Sequence, residues 1–268
     1  MATQSKRKFA VITGASSGIG FELAKQCIEN GFDILICAED DGITDAATRL
    51  GAGGGVCQAV RENLATKEGV RNLFAAIQSM QRPVDALILN AGVGVGGAFV
   101  TTDLERELDM VALNCNHTIH LAKLVLPDLI KRGEGRLLMT GSVVSTAPSP
   151  YQAVYGATKA FVMSFGEALR YELKDTGVTV TVLQPNATET NFFQRADLMD
   201  TAVGQADKDD PAVVAKQGFE AMMAGKDSVL GGSLKSRAQG LLNEVLPETV
   251  KAAQIGKQSA PGSAKPKA

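Results

Sequence analysis

A tyrosine and a lysine four residues apart give this chain its clearest chemical signal. Tyr155 and Lys159 stand at positions i and i+4, so on a helix their side chains share one face and can point into one site. A phenol has a pKa of about 10, and a cation held beside it stabilises the phenolate and brings that pKa closer to neutrality. The hydroxyl of Ser142, thirteen residues upstream, can hold a substrate oxygen. The pair therefore predicts proton transfer, although a tyrosine and a lysine also meet at this spacing by chance.

Strand and helix patterns alternate around these residues. Short apolar runs predict strands, and longer stretches with apolar residues three or four apart predict helices. Parallel strands need helical crossovers, so the alternation predicts an α/β fold with a doubly wound parallel sheet. The predicted strands are 9–12, 32–37, 56–60, 84–89, 137–140 and 178–183, and the predicted helices are 19–30, 44–50, 66–80, 102–131 with a disturbance near Asn114, and 155–177.

The same patterns predict one domain over residues 1–257. Its cofactor half covers about 7–135 and its catalytic and substrate half about 136–257. Residues 186–210 lack periodicity and are long for a connection, which predicts a mobile loop over a site. Residues 258–268 are rich in Ser, Pro, Gly and Lys, so we expect a disordered tail.

A glycine-rich turn joins the first predicted strand to the first helix. Residues 13–20 read Thr-Gly-Ala-Ser-Ser-Gly-Ile-Gly, with the spacing G-x3-G-x-G and not the commoner G-x-G-x-x-G. Gly14 permits a tight turn, Gly18 a close backbone approach to a ligand, and Gly20 close packing of the helix. Backbone amides and the positive end of the helix dipole favour an anion there, so the turn predicts a dinucleotide site.

Composition argues against several other classes of protein. A net charge of −2 and a pI near 5.8 give no reason to expect a nucleic-acid or membrane-surface partner. The first apolar stretch breaks after a few residues and none approaches roughly 18, so we expect no signal peptide or membrane span and a soluble, cytoplasmic protein. The four cysteines are scattered, which predicts reduced thiols. His117 and His120 lack companion ligands, so we expect no metal site.

Five motifs in the right order resemble the short-chain dehydrogenase/reductase (SDR) family, in its common single-domain type. They are the glycine turn, Asn90-Ala91-Gly92, Asn114, Ser142 and Tyr155-x3-Lys159, and the resemblance covers about residues 7–195. It implies a Rossmann-like sheet with strand order 3-2-1-4-5-6-7. Two positions depart from the family pattern: Leu89 replaces the first Asn of Asn-Asn-Ala-Gly, and Asn186 replaces the Gly after Pro185. Asparagine tolerates positive φ better than most residues, so the second turn can survive.

The resemblance also implies roles for the chemical residues. Tyr155 acts as general acid in carbonyl reduction or general base in alcohol oxidation, beside a nicotinamide that gives or takes hydride. Lys159 binds the nicotinamide ribose and lowers the pKa of Tyr155, while Ser142 polarises the substrate oxygen. Asn114 holds a water that connects Lys159 to solvent, or it is simply a helix-breaking asparagine.

The end of the second strand bears on the choice of cofactor. An acidic side chain there binds ribose hydroxyls and repels a 2′-phosphate. Relatives that prefer NADP commonly carry Arg where this chain has Glu39, and some carry a basic residue where it has Ser17, so we expect NAD rather than NADP. The usual NAD-type Asp would lie one position earlier, at Ala38. The resemblance implies these cofactor contacts: Gly14, Ser16, Ser17, Gly18, Ile19, Gly20, Glu39, Asn63, Leu64, Asn90, Ala91, Gly92, Tyr155, Lys159, Pro185, Thr188 and Thr190. Asn63 reads equally well as an ordinary loop residue.

The expected substrate walls are mostly apolar. The side chains expected in these walls are those of Val93, Val144, Tyr151 and Phe192. Their apolar character predicts a medium-sized, fairly hydrophobic ketone or secondary alcohol as the substrate. The alternative is that these side chains only pack a loop onto the body of the protein.

Two other classes of function remain as alternatives, and the resemblance also implies an oligomeric state. The fold suits a catalytically silent nucleotide sensor or scaffold, and Tyr-x3-Lys also occurs in epimerases and dehydratases. The resemblance implies a homodimer or homotetramer formed through the two long helices, 102–131 and 155–175. A panel of carbonyls and alcohols, read by reduced-nicotinamide absorbance, separates these alternatives.

Overall fold

A computed structural model of the chain describes residues 7–236, 238 and 246–264. Its strands are β1 (Lys8–Thr13), β2 (Phe32–Ala38), β3 (Cys57–Arg61), β4 (Ala86–Leu89), β5 (Gly135–Thr140), β6 (Val178–Pro185) and β7 (Ser228–Gly231). They form a parallel sheet in the order β3-β2-β1-β4-β5-β6-β7, so the predicted fold class and strand order are confirmed.

Helices cover both faces of this sheet. They are α1 (Gly18–Glu29), α2 (Gly42–Gly51), α3 (Lys67–Ser79), α4 (Leu104–Val111), α5 (His117–Arg132), α6 (Ala153–Leu173), α7 (Phe192–Arg195), α8 (Ala202–Gln205), α9 (Pro211–Met223) and α10 (Glu248–Ser259). Successive strand residues point to opposite faces, so Ala10 and Ile12 pack under α1, α2 and α9, whereas Phe9 and Val11 pack under α3, α5 and α6.

The predicted disturbance near Asn114 is a π-helical turn. Residues Ala112–Asn116 separate α4 from α5, and the turn places the side chain of Asn114 inside the protein. Single π turns of this kind occur often at functional sites, because the extra residue redirects a side chain.

Strand β7 was not among the predicted runs. Its four residues are mostly half-buried, and so short a segment carries no periodicity that separates it from a loop. Residues 186–210, predicted to be an irregular loop, contain the one-turn helices α7 and α8 and a parallel bridge between Thr188 and Asp209.

The prediction of a disordered tail is wrong for residues 258–264. Ser259 is buried, the backbone N–H groups of Gly262 and Ala264 donate to Asp200, and the Ser263 hydroxyl accepts from Ala202. Composition alone suggested disorder, but these hydrogen bonds fix the segment. Residues 265–268 lie outside the described part of the chain. Within that part, no helix is long and apolar enough to cross a membrane.

Candidate active site

One cavity of about 690 Å³ opens at the carboxyl edge of the sheet and collects most of the predicted site residues. This is where ligands bind in open α/β sheets. Three predicted residues do not line it: Asn63, Asn114 and Tyr151. The cavity has a glycine-turn end, formed by residues 14–20 and the end of β2, and an α10 end, formed by the C-terminal helix.

At the glycine-turn end, the backbone does most of the shaping. Gly14 and Gly18 have positive φ values of 67° and 58°, which side chains other than glycine rarely adopt. A Cβ on Gly20 would overlap the carbonyl oxygen of Gly14 and lie 2.5 Å from Nδ2 of Asn90. That Asn90 amide donates to the carbonyl of Gly14 at 3.1 Å and so fixes the turn from β4.

The same turn leaves room for an anion. No side chain caps the N-terminus of α1, so its first amides are available to a ligand. A Cβ on Gly18 would lie 2.9 Å from Cγ2 of Thr190, which shows that the segment after β6 covers the turn. The uncapped N-terminus of α1 fits a pyrophosphate at the turn.

An acidic side chain closes the glycine-turn end beside β2. Asp40 accepts a hydrogen bond from the Ser16 hydroxyl at 2.8 Å and one from the Gly42 N–H at 3.1 Å. Arg195 reaches it from α7, with Nη2 3.9 Å from Oδ2 of Asp40. Glu39 also lines the cavity, but it is exposed, and Asp40 is the carboxylate that the structure holds in place. Chain position alone predicts Glu39 as the acidic contact with the cofactor.

Asn63 has a local structural role. Its side-chain oxygen accepts from the Ala65 N–H at 2.9 Å, and its carbonyl accepts from the hydroxyl of Thr66, the N-cap of α3. The alternative reading of Asn63 as a loop residue agrees with this geometry, while Leu64 lines the cavity.

Tyr155 and Lys159 lie on the inner face of α6, and both are buried. Gly166 lets this helix approach the sheet, because a Cβ there would lie 2.5 Å from Cγ2 of Val182. The Lys159 ammonium donates to the carbonyl of Thr140 at 2.9 Å and lies 5.8 Å from the centre of the Tyr155 ring. The spacing on the helix therefore brings both side chains into the cavity, as the sequence predicts.

Ser142 is placed by the 3₁₀ turn Val143–Thr146 that follows β5. Its hydroxyl accepts from the Val144 N–H at 3.3 Å, and the hydroxyl of Ser145 accepts from the Ser142 N–H at 3.1 Å. This reciprocal capping box fixes the backbone at Ser142 and leaves its side chain beside Tyr155.

Burial controls the ionisation of the two central groups. It raises the pKa of Tyr155 to about 12, against an opposing effect of the Ser142 hydroxyl, and lowers the pKa of Lys159 to about 8. The sequence predicts that Lys159 brings the pKa of Tyr155 toward neutrality. The structure differs because desolvation of the phenol raises this pKa by more than the hydrogen bond with Ser142 lowers it.

Asn114 lies behind the cavity and fixes its wall. Its side-chain oxygen accepts from the Val93 N–H at 3.0 Å, and its amide donates to the carbonyl of Val93 and the hydroxyl of Thr158, both at 2.9 Å. A Cβ on Gly92 would lie 3.0 Å from the Asn114 oxygen and 3.3 Å from Nζ of Lys159. Gly92 therefore lies between the side chains of Asn114 and Lys159.

The predicted substrate walls divide into two groups. Val93, Val144 and Phe192 line the cavity, and the ring of Phe192 lies 5.1 Å from that of Tyr155. Tyr151 does not line the cavity; it has a positive φ of 62° and is 36% exposed at the protein surface. Asn186, which replaces the Gly that the family pattern has after Pro185, does not adopt a positive φ.

The two histidines have no ligating companions among the described residues, where no group of three or more His, Cys, Asp or Glu side chains could hold a metal ion. His117 is buried, with Nδ1 3.1 Å from the carbonyl oxygen of Leu113, and burial lowers its pKa to about 4.

The family model for short chain dehydrogenases matches residues 8–200 of the chain. The chain belongs to this family. Its members are oxidoreductases of the CH–OH/C=O type, which agrees with the cavity and its buried tyrosine.

Three proteins illustrate the likeness of this short chain dehydrogenase to known ones. It is 29% identical to a 3-oxoacyl-(acyl-carrier-protein) reductase from Buchnera aphidicola over 191 residues, 70% of this chain and 77% of that protein. A short-chain dehydrogenase from Sphingobium yanoikuyae in complex with NADPH is 27% identical, with a TM-score of 0.78 over 89% and 96% of the two chains. A 3-ketoacyl-(acyl-carrier-protein) reductase from Brucella melitensis complexed with NADH is 26% identical, with a TM-score of 0.74 over 83% and 95%.

The α10 end of this short chain dehydrogenase lies outside the matched residues. Lys251, Gln254, Ile255, Gln258 and Ser259 of α10 line the cavity there. Sequence reasoning missed all of them, and it also missed Arg195 and the particular role of Asp40. No motif marks α10, because its residues meet the others only through the tertiary fold.

Proposed function

We propose that this chain transfers a hydride between a nicotinamide dinucleotide and a ketone or secondary alcohol, with Tyr155 as general acid or base. One observation carries the proposal. Buried Ser142, Tyr155 and Lys159 share a single cavity with the uncapped N-terminus of α1 behind a glycine turn. Such a cavity can hold an anionic dinucleotide and a proton donor together.

In the direction of reduction, Tyr155 gives its proton to the substrate oxygen. A pKa of about 12 keeps the phenol protonated at neutral pH, so the donor is ready. Ser142 holds and polarises the same oxygen, and Lys159 stabilises the negative charge left on the phenol. When bound, the nicotinamide supplies the hydride in reduction and takes it in oxidation. Asn114 has the proposed role of holding a water that passes protons to Lys159.

We further propose that NAD is the preferred cofactor. The glycine turn, Asn90–Gly92, Lys159, Thr188 and Thr190 would hold it. Support for the preference comes from the Asp40 carboxylate, which is hydrogen bonded to Ser16 and would repel a 2′-phosphate. The Brucella and Sphingobium relatives were seen with NADH and NADPH respectively, so either cofactor suits the family.

The proposed substrate is medium-sized and fairly hydrophobic near its reacting carbon. Val93, Val144 and Phe192 surround Tyr155 with apolar surface. A small polyol would leave these side chains without apolar contacts, so we expect turnover of polyols to be slower than that of apolar ketones.

The decisive experiment replaces Tyr155 with Phe. We expect Tyr155→Phe to lower kcat/KM by about 10³-fold or more, because the proton donor is lost, and to leave the dissociation constant of the cofactor within about threefold. Tyr171→Phe is the matched control, since Tyr171 lies on the same helix and is 72% exposed. Rates come from reduced-nicotinamide absorbance and affinities from fluorescence titration.

Two outcomes would contradict this proposal. A Tyr155→Phe enzyme that retains most of its kcat removes Tyr155 from the reaction. A wild-type protein that binds nicotinamide but turns over no carbonyl or alcohol in a broad panel favours the nucleotide sensor.

We also propose a homodimer or homotetramer in the cytoplasm. Apolar side chains on α4 and α5 are exposed, among them Leu104, Leu108 and Ile119. Phe161 and Phe165 stack on each other and pack partly against the core. The four free cysteines suit a reducing compartment. We expect light scattering to give two or four times the mass of the chain, and a monomer at micromolar concentration would contradict the assembly.

A further inference from the structure

Helix α10 is bound to both segments that carry the catalytic groups. The Gln152 side-chain amide, three residues before Tyr155, donates to the hydroxyl of Ser259 at 3.0 Å, and this hydrogen bond is buried. The ammonium of Lys251 donates to the carbonyl of Thr146 at 3.3 Å. Thr146 ends the 3₁₀ turn that begins directly after the catalytic serine. The α10 end of the cavity therefore lies where the part of a substrate remote from its carbonyl would extend.

Lys251 brings a buried positive charge to this end. Its side chain is 6% exposed and lines the cavity. The charged partner is Glu248 on the same helix, whose Oε1 lies 2.9 Å from Nζ. Glu248 is 64% exposed, so its carboxylate can return to water at little cost, whereas the ammonium cannot. An ammonium has three hydrogen bonds to donate, and another carboxylate could take the place of Glu248.

The carboxylates of the cavity lie at its opposite end. Glu39, Asp40 and Glu62 line it, and all three follow β2 or β3 at the glycine-turn end. Among the described lining residues of α10, the charged one is Lys251, accompanied by the amides of Gln254 and Gln258. These groups can all donate hydrogen bonds to an anion.

We propose that Lys251 determines substrate specificity by binding a carboxylate at the end of the substrate remote from the reacting carbonyl. The substrate class is then an oxo acid, or the corresponding hydroxy acid, with an apolar chain between the two groups. This inference rests on the proposed function. The apolar chain of the substrate would extend from the apolar surface around Tyr155 to α10. When the substrate binds, its carboxylate replaces that of Glu248 as the partner of Lys251.

The test uses oxo acids in which the chain between ketone and carboxylate lengthens by one methylene at a time, each paired with its methyl ester. For the wild-type holoenzyme we expect kcat/KM of the acid to exceed that of the ester about tenfold or more at the best length. Lys251→Met should lower this acid-to-ester ratio by about 10- to 100-fold, mainly through KM of the acid. Lys251→Arg should retain most of the ratio, because it keeps the charge.

Two further variants make the test independent of folding defects. Glu248→Gln removes the competing carboxylate and should raise the acid-to-ester ratio a few fold. Lys257→Met removes a lysine from the exposed side of the same helix, outside the cavity, and should leave the ratio unchanged. Thermal unfolding and cofactor titration check that each variant is folded.

The outcomes separate this inference from the function on which it rests. Turnover of esters and simple ketones without any preference for acids, or a ratio that Lys251→Met does not change, overturns the assignment of Lys251 alone. Absence of turnover for every acid, ester and ketone with both nicotinamides contradicts the proposed function itself.

Discussion

The two ends of the cavity are shaped by different parts of the protein, the backbone at one end and side chains at the other. At the glycine-turn end, the shape comes from backbone: positive φ at Gly14 and Gly18, and a Gly20 that has no room for a Cβ. At the α10 end, the shape comes from side chains such as Lys251 and Gln254, which belong to a helix that follows β7.

This difference has a physical consequence for what each end can recognise. Backbone amides bind phosphate oxygens whatever the rest of the ligand is, and a sheet edge holds them rigidly. Side chains on helices can be exchanged without moving the sheet, so they can be matched to one substrate. We therefore expect that adding atoms at the glycine-turn end weakens cofactor binding. Replacing side chains at the α10 end should instead change substrate specificity.

The largest effect on cofactor binding should come from one methyl group at the glycine-turn end. In Gly20→Ala the new Cβ would overlap the Gly14 carbonyl, so the turn must shift or the helix must move away. We expect cofactor affinity to fall by at least about 100-fold, or the protein to unfold at a markedly lower temperature. Fluorescence titration with NADH and a thermal melt measure the two effects.

Gly51→Ala is the matched control for this change. Gly51 also lies in a helix, and nothing is within 4 Å of the Cβ that it would gain. Stability should stay the same or rise slightly, because alanine is the better helix former. If both variants bind NADH like the wild type, the glycine-turn end is not defined by its backbone.

Sequence reasoning succeeded where short-range patterns control the structure. The glycine spacing and the Tyr155–Lys159 pair depend on one turn and one helix, so both could be recognised from neighbouring residues. The disturbance at Asn114 was also predicted, since its place in a long helix pattern suggested a break.

It failed where distant segments meet. Lys251 reaches the cavity through α10, about a hundred residues beyond Ser142, and no local pattern marks that meeting. The pKa of Tyr155 was misjudged for the same reason, because burial depends on everything that packs around the ring. Asp40 was overlooked because only the fold shows which of the three adjacent acids contacts Ser16.

The second prediction concerns Lys159, which lies between the two ends. Burial lowers its pKa from the ordinary value of 10.5 to about 8, so the folded protein binds this proton less tightly than the unfolded chain does. Between about pH 8 and 10.5 the unfolded chain binds more protons at this lysine, so the contribution of Lys159 to the stability of the wild type rises with pH. Lys159→Met lacks this titration. At pH 7 we expect it to be more stable than the wild type by about 1 to 2 kcal/mol, after loss of the hydrogen bond to Thr140.

Denaturant unfolding at several pH values measures this difference. The advantage of Lys159→Met should shrink as pH rises from 7 to 9.5, while its turnover is lost at every pH. Lys123→Met, at an exposed position on α5, should show neither effect. A Lys159→Met protein that is less stable than the wild type at pH 7 would mean that burial of the ammonium is compensated by its contacts.

The smallest effect, on the preference between NADPH and NADH, should come from a side chain at the glycine-turn end. Asp40→Asn removes the charge that would repel a 2′-phosphate, and Nη2 of Arg195, 3.9 Å away, loses its acidic partner. The asparagine oxygen can still accept from the Gly42 N–H, so the turn should keep its path. We expect the ratio of kcat/KM for NADPH to that for NADH to rise about tenfold, which corresponds to about 1.4 kcal/mol.

Asp41→Asn is the control, because Asp41 is exposed, pairs with Arg61 and does not line the cavity. It should change the cofactor ratio by less than about threefold. A tenfold change at Asp40 beside a hundredfold loss at Gly20 would mean that side chains at this end only choose between cofactors that the backbone already binds. If Asp40→Asn instead weakens both cofactors equally, Asp40 acts through the position of Ser16 and the turn, and the choice between NAD and NADP lies elsewhere.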